Sequence, residues 1–96
     1  MRKMSVAASI EKKLAAALQP VRLEIVDESH LHAGHAHAPK GGESHFHVTV
    51  AAAAFEGQNQ VTRQRKVYEI LADELAGPVH ALSLSTLTPD EAEQAT

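Results

Sequence analysis

Seven histidines stand in a chain of 96 residues that has no cysteine. Neutral imidazole is the commonest protein metal ligand and, being borderline-soft, suits zinc, copper, iron and nickel. His30, His32, His35 and His37 crowd into the stretch from Ser29 to Gly42, together with Gly34, Pro39, Gly41 and Gly42. Such a loop can adjust around an ion. His80 lies on a stiffer segment, so it can fix one coordination position while the loop supplies another. Two plain alternatives stand beside this. A polar surface loop can be rich in histidine by chance, and His80 alone reads better as a core-edge histidine satisfied by a backbone carbonyl. His45 and His47 alternate with Phe46 and Val48, so the two-residue period of a strand aims them at solvent. Without cysteine there is no disulfide, no thiol nucleophile, no cysteine-based zinc site and no iron–sulfur cluster held by the chain's own thiolates.

Other chemistries find less support. Ser29-His30 and Ser44-His45 are adjacent pairs, but neighbours on a strand face opposite ways and cannot act as nucleophile and base. No paired-carboxylate arrangement or phosphate-binding glycine loop occurs, so an enzyme is not expected. Arg63, Arg65 and Lys66 cluster near the start of a helical segment, where positive charge opposes the helix dipole and hints at a use in nucleic-acid binding. A net charge of −3 argues against strong non-specific binding to nucleic acid. The pattern alone favours a solvated charged turn pairing with Glu69, Asp73 and Glu74.

The elements that position these residues follow from periodicity. Residues 5–18 read as a helix with Val6, Ile10, Leu14, Ala17 and Leu18 on one face, capped by Ser5 and stopped by Pro20. Residues 21–28 alternate as a half-buried strand, with Val21, Leu23 and Ile25 on one side. After the loop a second strand runs from about 43 to 52, Phe46, Val48 and Val50 facing one way, and the two strands form an antiparallel hairpin. A central helix starts at Asn59 or Thr62 and places Val67, Ile70, Leu71 and Leu75 on the core. Gly77 ends it as a left-handed cap and Pro78 prevents its continuation. A third strand carries Leu82 and Leu84 on the parity of His80. Thr88-Pro89-Asp90-Glu91 reads as a capping box opening a short acidic helix that frays by 94–96. The order α-β-β-α-β-α predicts one α+β domain over 1–96, its ordered core about 5–91, with helices on one face of a three-stranded sheet. The longest apolar run, Val50 to Phe55, is far short of the roughly 20 residues of a spanning helix. Met1-Arg2-Lys3 resembles the start of a signal peptide, but Glu11, Lys12 and Lys13 interrupt the apolar stretch, so a cytoplasmic protein with no membrane partner is expected.

Taken together, Glu43-Ser44-His45-Phe46, Phe55-x-Gly57, Arg63-x-Arg65-x-Val67-Tyr68, Leu71-x-x-Glu74-Leu75, Val79-His80-Ala81-Leu82-Ser83-Leu84 and Thr88-Pro89 resemble the BolA family. The match is collinear from Val21 to Glu91, and the His32-Ala33-Gly34-His35 loop is similar to the longer loop of some bacterial members. The resemblance implies a class II KH-like fold. It also implies a monothiol glutaredoxin as partner, the pair sharing a [2Fe–2S] cluster in iron–sulfur trafficking or iron-status regulation. The glutaredoxin cysteine and a glutathione thiol would hold one side of the cluster. His80 and a loop histidine, His35 or His32, would hold the other, with no cluster tightly held by the isolated chain. A DNA-binding transcriptional regulator using Arg63, Arg65 and Lys66 is the family's other role. A third reading is a loop that holds zinc or nickel alone, and weak homodimerisation of the free chain stays open. Two departures bear on DNA. Gln64 stands where the family often has histidine between two arginines, and Phe55-Glu56-Gly57-Gln58 has one glycine where the KH nucleic-acid clamp has two.

Overall fold

The computed structural model describes residues 5–28, 45–77 and 79–94. The loop histidines His30, His32, His35 and His37, the helix stop at Pro78, the Met1-Arg2-Lys3 start and the last two residues lie outside this set. Helix α1 (Val6–Leu18) is capped by the Ser5 hydroxyl, which accepts the Ala8 N–H at 3.1 Å. It buries Ile10, Leu14 and Leu18, one residue per turn of a single stripe, while Ala17 is exposed. Gln19 takes a left-handed conformation at φ 47° and donates to the Ala15 carbonyl, so the helix ends at Leu18, two residues before Pro20.

Strand β1 (Arg22–Asp27) pairs antiparallel with β2 (His45–Ala51), and β3 (Ala81–Leu87) lies parallel to β2 on its other side. The hairpin expected from the sequence is present. The parallel third strand needs a crossover. A 3-10 turn at Ala53–Phe55, helix α2 (Gln60–Ile70) and helix α3 (Ala72–Ala76) supply it. Gly57, at φ 78°, makes the turn that sends the chain into α2. There Asn59 caps the helix, its side-chain oxygen accepting the Thr62 N–H at 2.9 Å. Phe46, Val48 and Val50 form the buried face of β2 and meet Ile10 and Leu14 of α1, Phe55, and Val67 and Leu71 of the crossover.

Two expectations change. The single central helix is broken at Leu71, whose φ −100° and ψ 20° separate α2 from α3. Gly77 is not a left-handed cap, because its φ is −111°. Its small size serves a close approach instead: a Cβ there would lie 3.3 Å from the Asp73 carbonyl oxygen.

The capping box at α4 (Pro89–Gln94) is formed as expected. The Thr88 N–H donates to Glu91 Oε1 at 2.8 Å, and the Glu91 N–H donates to Thr88 Oγ1 at 3.2 Å. Thr88→Ala removes one of these bonds, and the expected loss is about 1 kcal/mol in urea unfolding. A loss below about 0.3 kcal/mol would mean that α4 adds little to the cooperative fold.

Candidate ligand site at the sheet end

Parallel pairing of β2 and β3 decides where His80 lies. The registers His45↔Ala81 and Asp27↔Phe46 bring the start of β3, the start of β2 and the end of β1 to one end of the sheet. The Glu28 N–H donates to the His45 carbonyl at 2.7 Å, so the chain leaves for the 29–44 stretch and returns from it at this end. His80 precedes β3 and is exposed; it is not the core-edge histidine that the sequence alone favours. Its ring stacks on that of His45, with centroids 6.3 Å apart and planes within 13°. His45 is half-buried, turned toward a neighbour that strand period alone did not reveal. His47, also half-buried, spans the two strands, its Nε2 lying 3.2 Å from Ser85 Oγ.

The exposed imidazole of His80 is in its chemistry a fit ligand for a metal or cluster. Among the described residues no group of three or more histidine or acidic side chains is placed to hold a metal. His80 is an exposed nitrogen donor at the sheet end, with the half-buried His45 ring beside it. His32 and His35 lie outside the described residues, but both ends of the segment that carries them are tied beside His80.

Glu74, whose pattern in the sequence suggests a solvated charge and which also stands in the Leu71-x-x-Glu74-Leu75 motif, sets the position of His80. Its carbonyl accepts the Gly77 N–H at 3.2 Å and the Val79 N–H at 3.0 Å, and Val79 is buried in the core. Its buried carboxylate accepts the Ser9 hydroxyl at 2.6 Å and the Lys13 ammonium at 2.9 Å. The residue thus clamps the approach to His80 onto α1. Burial pushes the Glu74 carboxyl up, but the bonds from Ser9 and Lys13 and the Lys13 charge outweigh this and hold it below its ordinary value. The same pair raises the Lys13 pKa, chiefly through its bond to Glu74.

The basic cluster divides. Arg63 is buried, so it does not belong to an exposed nucleic-acid patch. Its Nε donates to the Gln58 carbonyl at 2.9 Å, and its Nη1 donates to the Thr86 carbonyl at 3.1 Å and to Glu91 Oε1 at 2.7 Å. One side chain therefore joins the start of α2, the end of β3 and the cap of α4. The phase of the helix explains it: Arg63 is one turn before Val67 and two before Leu71, on the face that packs inward. Glu91 is held below the ordinary carboxylate value chiefly by its bond from Arg63. Arg65 remains exposed and Lys66 half-buried, neither with an ion pair among the described residues.

The BolA-like protein family model matches residues 14–91. The DNA-binding transcriptional regulator BolA of Escherichia coli is 47% identical over 90 residues, covering 94% of this chain and 82% of that protein. The solved structure of BolA1 from Arabidopsis thaliana superposes with a TM-score of 0.81 at 39% identity, covering 93% of this chain and 98% of that one. The BolA domain of SufE1 from the same plant gives 0.81 at 41% identity, covering 94% and 99%. By sequence, over nearly its whole length, and by fold, this chain belongs to the BolA-like protein family.

Proposed function

We propose that this chain is a non-enzymatic adaptor that docks a monothiol glutaredoxin and shares a [2Fe–2S] cluster with it. The exposed imidazole of His80 is the fixed ligand on this side, and His35 or His32 is the second. The observation that carries the reading is the parallel β2–β3 register, which sets His80 beside both anchors of the histidine-bearing segment. The glutaredoxin cysteine and a glutathione thiol complete the set. Imidazole in place of thiolate lowers the negative charge on such a cluster and raises its potential. It also makes binding fall at acid pH, because a protonated histidine has no lone pair to give.

A second reading, a DNA-binding regulator, is favoured by the name of the Escherichia coli relative and by Arg65 and Lys66, which have no ion pair among the described residues. With Arg63 buried, Arg65 and Lys66 are what remains of the cluster to carry it. A pair of variants separates the readings. His80→Ala is expected to abolish complex-dependent cluster sharing and leave any DNA affinity unchanged; Arg65→Ala with Lys66→Ala does the reverse. Duplex DNA binding measured by anisotropy must also weaken with added salt if phosphate contacts drive it. Loss of DNA affinity in His80→Ala with cluster sharing intact would overturn the adaptor reading.

A further inference from the structure

We propose that the outer edge of β1 is a self-association surface, on which two copies of this chain join antiparallel about Leu23 and extend the sheet from three strands to six. The strand order β1-β2-β3 leaves two edges. The β3 edge is blunted, because the Thr86 carbonyl is taken by Arg63 Nη1 at 3.1 Å and by Gln60 Nε2 at 3.4 Å. Among the described residues nothing does the same at Leu23 and Ile25 of β1. The bond from the Glu28 N–H to the His45 carbonyl sets the phase of the β1–β2 ladder. Bonded pairs alternate in an antiparallel ladder, so the N–H and C=O groups of Leu23 and Ile25 point away from β2, toward the free edge. An open groove of about 340 Å³ runs along this edge between α1 and β1, lined by Ser5, Ala7, Ala8 and Glu11 on the helix side and by Leu23 and Ile25 of the strand. Outward-pointing peptide groups with open space beside them are a template for another strand.

The charges of β1 choose the occupant. Within one chain Arg22 Nη2 lies 2.9 Å from Glu24 Oε1, on either side of Leu23. Setting Leu23 against Leu23 of a second copy places Arg22 across from its Glu24, and Glu24 across from its Arg22. Four charges of alternating sign then form one ladder on the sheet face away from the core. A shift that pairs Leu23 with Ile25 would instead set Glu24 against Glu24, so charge selects the register as well as the partner. Val21, 67% exposed, stands across from Ile25 of the second copy in the favoured register. Because the joined strands run oppositely, the two His80 ends lie at opposite ends of the six-stranded sheet.

Sedimentation equilibrium of the full chain, from about 10 μM to about 1 mM, tests this. Reversible dimerisation is expected, with the Leu23 and Ile25 amides gaining protection from hydrogen exchange as concentration rises. Glu24→Arg sets like charges in opposition and is expected to weaken the dimer at least about tenfold. Arg22→Glu combined with Glu24→Arg restores the alternation and the affinity. Ile25→Pro removes an outward N–H that β2 does not use, and is expected to give a monomer with an unchanged circular dichroism spectrum. A wild-type chain that stays monomeric throughout overturns the proposal, and so does a dimer indifferent to Glu24→Arg. Edge amides protected only by an added peptide would assign the edge to a different partner and overturn it equally.

Discussion

Arg63→Ala is expected to lower the free energy of unfolding by about 3 kcal/mol, measured by urea denaturation near neutral pH. The side chain is buried, and its donors satisfy the carbonyls of Gln58 and Thr86. Truncation leaves both acceptors without that partner and opens a cavity between α2, β3 and α4. Arg63→Lys is not expected to restore the loss, because one ammonium cannot reproduce a planar fork that serves acceptors on three elements. The β3 edge should also loosen once the Thr86 carbonyl keeps only the longer bond from Gln60 Nε2, at 3.4 Å, which faster amide exchange in β3 and its flank would report. A loss below about 1 kcal/mol would show that these bonds merely replace equivalent ones to water.

Glu74→Ala carries the second large effect, about 2 kcal/mol, together with a change at the functional end of the molecule. Its carboxylate joins α3 to Ser9 and Lys13 of α1, and its carbonyl holds the turn that leads to His80. Removing the carboxylate frees that turn from α1, so the His45 and His80 ring resonances should shift although neither residue is altered. The pH dependence follows from the sign of the shift. The folded-state pKa lies below the ordinary 4.5, so the ionised carboxylate's contribution is fully present above that value and is lost as pH falls through the folded pKa. Glu74→Gln should therefore flatten the acid limb of the stability profile below about pH 4.5. Glu91, lowered in the same direction, retains its own part of the slope. Histidine resonances unmoved in Glu74→Ala would contradict the positioning role.

The fold was largely legible because local signals agreed. Ser5, Asn59 and the Thr88–Glu91 box are caps that act within three residues, and the alternation of Phe46, Val48 and Val50 carries the strand period directly. What the sequence left open was set by long-range geometry. Whether β3 pairs parallel or antiparallel with β2 has no local signature, yet it puts His80 beside His45 when the other choice would send it to the far end. Glu74 looked like an ordinary surface acid because its partners lie on α1, more than sixty positions earlier. Arg63 could have been read correctly: a basic residue in phase with Val67 and Leu71 sits on the buried face, and its charge class hid its phase. For His32 and His35 the described residues fix only the two anchors of their segment.

The most direct test of the shared-cluster account is an anaerobic absorption and circular dichroism titration. This protein is added to a cluster-loaded monothiol glutaredoxin with glutathione present, wild type beside His80→Ala. His80 is exposed and outside the core, so the variant should unfold at nearly the wild-type urea concentration and report on ligation alone. The account predicts a new spectrum that saturates at one chain per glutaredoxin for wild type and no such change for His80→Ala. A wild-type titration that leaves the spectrum unmoved, or a new spectrum formed equally well by His80→Ala, would contradict it.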